Sequence, residues 1–142
     1  MKDKDIAIIG AGPVGLFSVF QCGMLGYSAT VIDSLSDIGG QCSALYPDKP
    51  IYDIPSHPMI TGAGLIEQLE AQAAPFKPAY RLGVQVSAIS GDVESGFTLT
   101  LSDGDVVQAW AIIIAAGAGC FGPNRPPLEG IEACEGQSVH YM

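Results

Sequence analysis

The stretch Asp5-Ile-Ala-Ile-Ile-Gly-Ala-Gly-Pro-Val-Gly15, answered eighteen residues later by Asp33 at the end of Ala29-Thr-Val-Ile-Asp, decides the fold of this chain. Ile6, Ala7, Ile8 and Ile9 are apolar at every position, the pattern of a central strand covered on both faces. Gly10 permits the tight turn out of that strand. Gly12 lets a pyrophosphate approach the backbone, and Gly15 lets the next helix pack close to the sheet. Pro13 suits the first helical turn, with Val14 beside it. Leu16, Phe17, Phe20 and Met24 recur at spacings near three and four, which predicts an apolar helical stripe. Gly26 ends the helix as a glycine cap. Ala29 to Asp33 predicts a second strand and completes a β-α-β unit with a right-handed crossover. A glycine fingerprint alone is weak, because glycine turns are common. Here a strand precedes it, a helix follows, and an acid closes the second strand. Free N–H groups and the helix dipole stabilise phosphates at such a turn, and the Asp33 carboxylate can accept hydrogen bonds from both ribose hydroxyls of an adenosine. The reading is a dinucleotide site.

Composition narrows the rest. The chain has 142 residues, 48% of them hydrophobic and 15% charged, which suits one folded domain and excludes a disordered tail. Six Lys and Arg stand against fifteen Asp and Glu, for a net charge of -9. The basic residues Lys2, Lys4, Lys49, Lys77, Arg81 and Arg125 are scattered, so no footprint for a phosphate backbone forms and nucleic acid is not an expected partner. Cys22, Cys42, Cys120 and Cys134 lie too far apart for a CxxC pair or a zinc site, and the default reading is four buried thiols in a reducing cytoplasm. Asp3 and Asp5 spoil a basic signal-peptide start. The longest later apolar run, 109–122, falls short of the roughly 18 residues of a membrane span. The expectation is a soluble, cytoplasmic protein without a metal centre.

Beyond Asp33 the chain changes character. Gly39, Gly40, Pro47, Pro50, Pro55 and Pro58 punctuate a long, largely irregular stretch, and loops of that length are often functional. Thr61 to Ala74 predicts a helix with Leu65, Ile66 and Leu69 on one face and Pro75 closing it. From Tyr80 the pattern is β: Arg81 to Val86, Gly96 to Ser102, and Val106 to Ala116, with Ser102-Asp-Gly-Asp105 as a hairpin turn. Trp110, at the head of an apolar run, reads as core. From Gly122 to Pro127 the chain is rich in Pro and Gly and reads as a linker.

FAD and NAD share the adenosine diphosphate half, so the glycines and the acid do not separate them. The element order does: a Gly-Pro-rich loop, one helix and an antiparallel meander look like the FAD domain of the two-dinucleotide flavoproteins. Residues 39–58, Gly-Gly-Gln-Cys-Ser-Ala-Leu-Tyr-Pro-Asp-Lys-Pro-Ile-Tyr-Asp-Ile-Pro-Ser-His-Pro, closely resemble the thioredoxin-reductase-like ferredoxin–NADP reductases of bacteria. The resemblance runs through Thr61-Gly-Ala-Gly-Leu-Ile-Glu to the end of the chain. It implies that Asp33 holds the adenosine ribose, that Gly40 and Gln41 meet the flavin, and that Tyr46 stacks on the isoalloxazine. It further implies that Val86, at the end of a meander strand, clasps the adenine through its backbone, and that Phe121 lines the cofactor. His57 reads as a surface loop residue. Cys42 lacks the partner five residues on that a redox disulfide of the glutathione-reductase type needs, since position 47 is Pro. No side chain is expected to act as a covalent catalyst.

The resemblance implies a three-layer α/β FAD/NAD(P)-binding domain of Rossmann-like type, with a parallel sheet, a helix layer and an antiparallel meander. Residues 1–121 are the FAD-binding part, 122–127 a linker, and 128–142 the opening of an NADPH domain that lies outside this chain. Hydride would pass from NADPH to FAD and single electrons to ferredoxin or flavodoxin, in a homodimer, with the chain a fragment of the longer reductase. Two alternatives stay open on the same scaffold: an NAD(P)H diaphorase acting on quinones or dyes, and a non-catalytic FAD-binding module.

Overall fold

The computed structural model describes residues 5–119, 127–128, 130–134 and 137–139. In chain order the elements are β1 (Ile6–Ile9), α1 (Pro13–Met24), β2 (Ala29–Asp33), α2 (Gln41–Ala44), β3 (Pro50–Ile51), β4 (Ile60–Thr61), α3 (Gly62–Ala73), β5 (Ala79–Leu82), β6 (Val86–Asp92), β7 (Gly96–Leu101), β8 (Val106–Ala109) and β9 (Ala111–Ile114), with 3-10 turns over Ala74–Phe76 and Ile131–Cys134. A four-stranded sheet runs β5-β2-β1-β9 and a three-stranded one runs β6-β7-β8. All pairings in the first are parallel, with Ile8 opposite Val31 on one side and Ile113 on the other. The second is an antiparallel meander.

The unbroken apolarity of β1 is explained by what covers it. Ile8 and Val31 point into a core with Val19 and Cys22 of α1 and Ala73 of α3. Ala7 and Ile32 point the other way, against Leu99, Leu101, Val107 and Ala109 of the meander. Alternate residues of one strand thus serve two cores, the requirement of a central strand in a three-layer α/β fold. Each fully buried Ile, Leu or Val side chain among them contributes about 1.5–3 kcal/mol. Thr61 caps α3, its hydroxyl accepting from the Gly64 N–H at 3.1 Å, a contact worth about 1 kcal/mol.

Several sequence expectations are corrected. The apolar stripe of α1 is rotated: Phe17 and Met24 are exposed, while Gly15, Leu16, Val19 and Cys22 form the buried face. Leu16 and Val19 fill that face, and the backbone approaches closely at Gly15, where a Cβ would stand 1.8 Å from the Gly10 carbonyl oxygen. Phe20 instead meets Phe76 edge-on, with ring centroids 5.9 Å apart, and the Phe76 ring occupies the space a Cβ at Gly23 would need. The strand expected from Arg81 to Val86 is two elements. Gly83, at φ +72°, turns the chain out of the parallel sheet after β5, so Tyr80 belongs to that sheet and Val86 opens a meander strand rather than closing one. The run from Val106 to Ala116 also divides. At Trp110 the chain leaves the meander for the edge of the parallel sheet, and the Asp5 carbonyl accepts from the N–H groups of both Trp110 and Ala111. Trp110 lies at this corner 53% exposed and is not core. Cys134 is likewise exposed, whereas Cys22 is buried. The expected hairpin turn forms, with the Leu101 N–H donating to the Asp105 carbonyl at 2.8 Å. Arg81 of β5 reaches that turn and pairs with Asp103 and Asp105, tying the two sheets together. Among the described residues no helix is long and apolar enough to cross a membrane.

Candidate functional site

The carboxyl ends of β1, β2 and β9 open into a cleft of about 510 Å³, where ligands bind in open α/β sheets. Gly10, Gly12, Pro13, Val14, Asp33, Gly40, Gln41, Tyr46 and Val86 all line it. The structure therefore brings together, in one cavity, residues that the sequence separates by up to seventy-six positions. Gly15 lies just beneath. Phe121 and most of the expected linker lie outside the described residues, as does Cys120.

Each glycine of the fingerprint is required for a different reason. Gly10 sits at φ +110°, and a Cβ there would come 2.3 Å from the Ala115 carbonyl oxygen. A Cβ at Gly15 would stand 1.8 Å from the Gly10 carbonyl oxygen, so the first turn of α1 packs directly on the backbone of the strand exit. Gly12 has ordinary backbone angles, and a Cβ there would meet nothing within 4 Å. Its need for hydrogen comes from the open side, where a ligand would pass. No side chain caps α1 and its first turn carries no acid, which leaves its N-terminal dipole facing the cleft for an anion. Gly40, at φ +55°, brings its own turn close, within 3.2 Å of the Gly12 Cα when given a Cβ. The resulting wall is bare backbone, a cradle that fits a diphosphate.

Asp33 does more than was foreseen. Its Oδ2 accepts from the Ala11 N–H at 2.6 Å and its Oδ1 from the Leu35 N–H at 2.9 Å. The carboxylate clasps the glycine turn to the end of β2, and its remaining lone pairs are available to a ribose. Replacing it by Ala removes two charge-assisted acceptors from half-buried N–H groups. We expect Asp33→Ala to cost about 2 kcal/mol of stability, read as a lower urea midpoint at unchanged slope. An unchanged midpoint would show the clasp to be idle.

At the other end, the Tyr46 hydroxyl donates to Gln41 Oε1 at 2.5 Å, and Lys49 Nζ lies 5.3 Å from the Tyr46 ring centroid. Cys42 also lines the cleft, and burial pushes its thiol up, so it is protonated at neutral pH rather than a thiolate. His57 is absent from the lining; its N–H closes a turn on the Ile54 carbonyl. Besides Cys42, the lining missed in the sequence is Ile9, Ile32, Ser34, Leu35, Val84, Gln85 and the run Ala115 to Gly119. The glycine-rich exit of β9, beside the Gly10 turn, was the one available signal for the last of these.

Comparison with known proteins agrees with this architecture. A family model for an NAD(P)-binding Rossmann-like domain matches residues 8–69. The ferredoxin–NADP reductase of Acidiphilium cryptum is 63% identical over 131 residues, 92% of this chain and 38% of that protein. That of Paramagnetospirillum magneticum is 56% identical over 140 residues, 99% of this chain and 42% of that one. The chain thus spans well under half the length of the reductases it matches. Among solved structures, the thioredoxin reductase of T. acidophilum superposes with a TM-score of 0.71 at 22% identity, covering 94% of this chain and 41% of its own. A steroid monooxygenase bound to NADP also gives 0.71 at 22% identity, over 93% of this chain and 29% of its own. At that identity the two structures speak for the fold.

Proposed function

We propose that this chain, homologous over nearly all of its length to ferredoxin–NADP reductases, forms the FAD-binding part of such a reductase. In this reading residues 1–121 are the FAD-binding part, 122–127 lead out of it, and 128–142 begin the part that takes NADPH. The observation that carries the reading is the shared cleft: the turn suited to a diphosphate and the Asp33 carboxylate line the same cavity as Gln41 and Tyr46. A nucleotide and a flat ring system joined by a diphosphate match that sequence of surfaces.

When bound, FAD supplies the conversion between two-electron chemistry at a nicotinamide and one-electron chemistry at an iron–sulfur carrier. The chain's own residues bind and orient. Gly12, Pro13, Val14 and the N-terminus of α1 receive the diphosphate, Gly10 and Gly15 hold that turn in place, Asp33 receives the ribose, and Val86 flanks the adenine. Gly40, Gln41 and Tyr46 hold the ring, with Phe121 completing the lining. No nucleophile is needed, in keeping with a protonated Cys42 thiol. The electron partner is ferredoxin or flavodoxin, and the enzyme works as a cytoplasmic homodimer.

The test is the visible spectrum of the purified full-length protein after incubation with FAD and gel filtration. We expect bound flavin at one equivalent per chain. In the full-length protein, NADPH oxidation should depend on ferredoxin and not on thioredoxin. A chain that folds yet leaves all flavin in the small-molecule fraction would sink the proposal. Dye reduction without ferredoxin turnover would favour the diaphorase.

A further inference from the structure

We infer that Lys49 is a positioning residue for the ring end of the cleft, acting through Tyr46 on Gln41; this rests on the reading that the cleft holds FAD. The Lys49 ammonium, 5.3 Å from the Tyr46 ring centroid, is inside the roughly 6 Å range of cation–π attraction. Tyr46 in turn donates its hydroxyl proton to Gln41 Oε1. With Oε1 engaged, the Gln41 amide turns its Nε2 donors outward, and Nε2 lies 3.8 Å from where a Cβ on Gly117 would stand, across the cleft. The three side chains form a relay that fixes which end of the amide a ligand meets.

Lys49 is itself held by backbone. Its N–H donates to the Tyr46 carbonyl at 3.2 Å, and its carbonyl accepts from the Gly62 N–H at 3.1 Å. Gly62 opens α3, and a Cβ there would come 2.8 Å from the Tyr46 carbonyl oxygen. The loop is therefore pressed against the helix at the level of Tyr46. Lys49 does not line the main cleft. It lines a shallower cavity with Tyr46, Pro50, Ile51, Tyr52 and Asp53, so the cation and the cleft share Tyr46 as a common wall. The ion pairs among the described residues leave Lys49 out, and its charge is available to the ring. A tyrosine tied only by its hydroxyl can still rock about that bond. A cation over its face restrains the ring before a ligand arrives, which lowers the ordering cost of binding.

The test compares parent full-length protein with Lys49→Met, Lys49→Arg, Tyr46→Leu and the double variant Lys49→Met/Tyr46→Leu, by FAD titration followed through flavin fluorescence. Lys49→Met is expected to weaken FAD about threefold, and Lys49→Arg, which keeps the cation, to restore it. In the Tyr46→Leu background Lys49→Met should add nothing. Equal affinity of Lys49→Met and parent, an equal loss in both backgrounds, or no rescue by Arg would each overturn the inference alone. A parent that binds no FAD overturns the cofactor reading and the inference with it. Lys49 is exposed, and an unchanged thermal midpoint in Lys49→Met checks that the fold is intact.

Discussion

Gly15→Ala is expected to lower the thermal midpoint by about 10 °C and to abolish dinucleotide binding. The added Cβ would stand 1.8 Å from the Gly10 carbonyl oxygen and 2.9 Å from its carbon. Both belong to backbone, so no rotamer change relieves the overlap and the start of α1 must lift off the strand exit. Overpacking costs about 1–3 kcal/mol, and more where backbone moves. Ala recovers up to about 1 kcal/mol as the better helix former. With the overlap relieved only by backbone movement, at a cost of about 4 kcal/mol, the net loss of about 3 kcal/mol corresponds to that midpoint shift in a chain of this size. Lifting the helix also undoes the turn that would receive the diphosphate, so binding fails with stability. A Gly15→Ala protein that melts with the parent would show that α1 has room the structure denies it.

Gly12→Ala should behave in the opposite way, leaving the fold intact and removing the ligand. Its backbone angles suit any residue, and its Cβ would meet no protein atom within 4 Å. The thermal midpoint should stay within about 2 °C of the parent. In the proposed reading, the methyl group would occupy the face along which the diphosphate would pass and would part it from the N-terminus of α1. Loss of one charge-assisted hydrogen bond costs about 1.5–3 kcal/mol, or roughly 10–100-fold in FAD affinity. Calorimetric titration measures it directly. Parental affinity in Gly12→Ala would place the phosphates elsewhere. The pair separates two uses of glycine in one motif: accommodating protein and accommodating ligand.

The parts legible in the sequence were those with a short-range physical signature. The β1-α1-β2 unit follows from an apolar run, a glycine turn and an acid, all within thirty residues. Asp33 could be assigned for the same reason, whereas Gln41 and Tyr46 were approached only through the resemblance of their loop. What escaped depends on distant contacts. Leu82, Val84 and Val86 alternate as one strand would, and only Gly83, at a positive φ, breaks them between two sheets. The buried face of α1, Gly15, Leu16, Val19 and Cys22, keeps the helical period but not the phase that the large side chains Phe17, Phe20 and Met24 suggest. Trp110 looked like core because its neighbours are apolar, yet the chain changes sheets there and leaves it at a corner. Leu35, Val84 and Ala115 to Gly119 line the cleft from three separate loops, and such small or aliphatic residues announce no role on their own.

The Asp33 clasp sets a limit on how this scaffold could change its nucleotide. A route toward a ribose bearing a 2′-phosphate would begin by discarding the acid, whose charge opposes the phosphate. Here the same carboxylate holds the Ala11 and Leu35 N–H groups, so the first step toward the new ligand would loosen the turn that every dinucleotide needs. An ancestor of this chain could cross that gap only by first acquiring another acceptor for those two groups. If Asp33 receives a ribose as proposed, a preference for the unphosphorylated form would be tied to the stability of the turn itself.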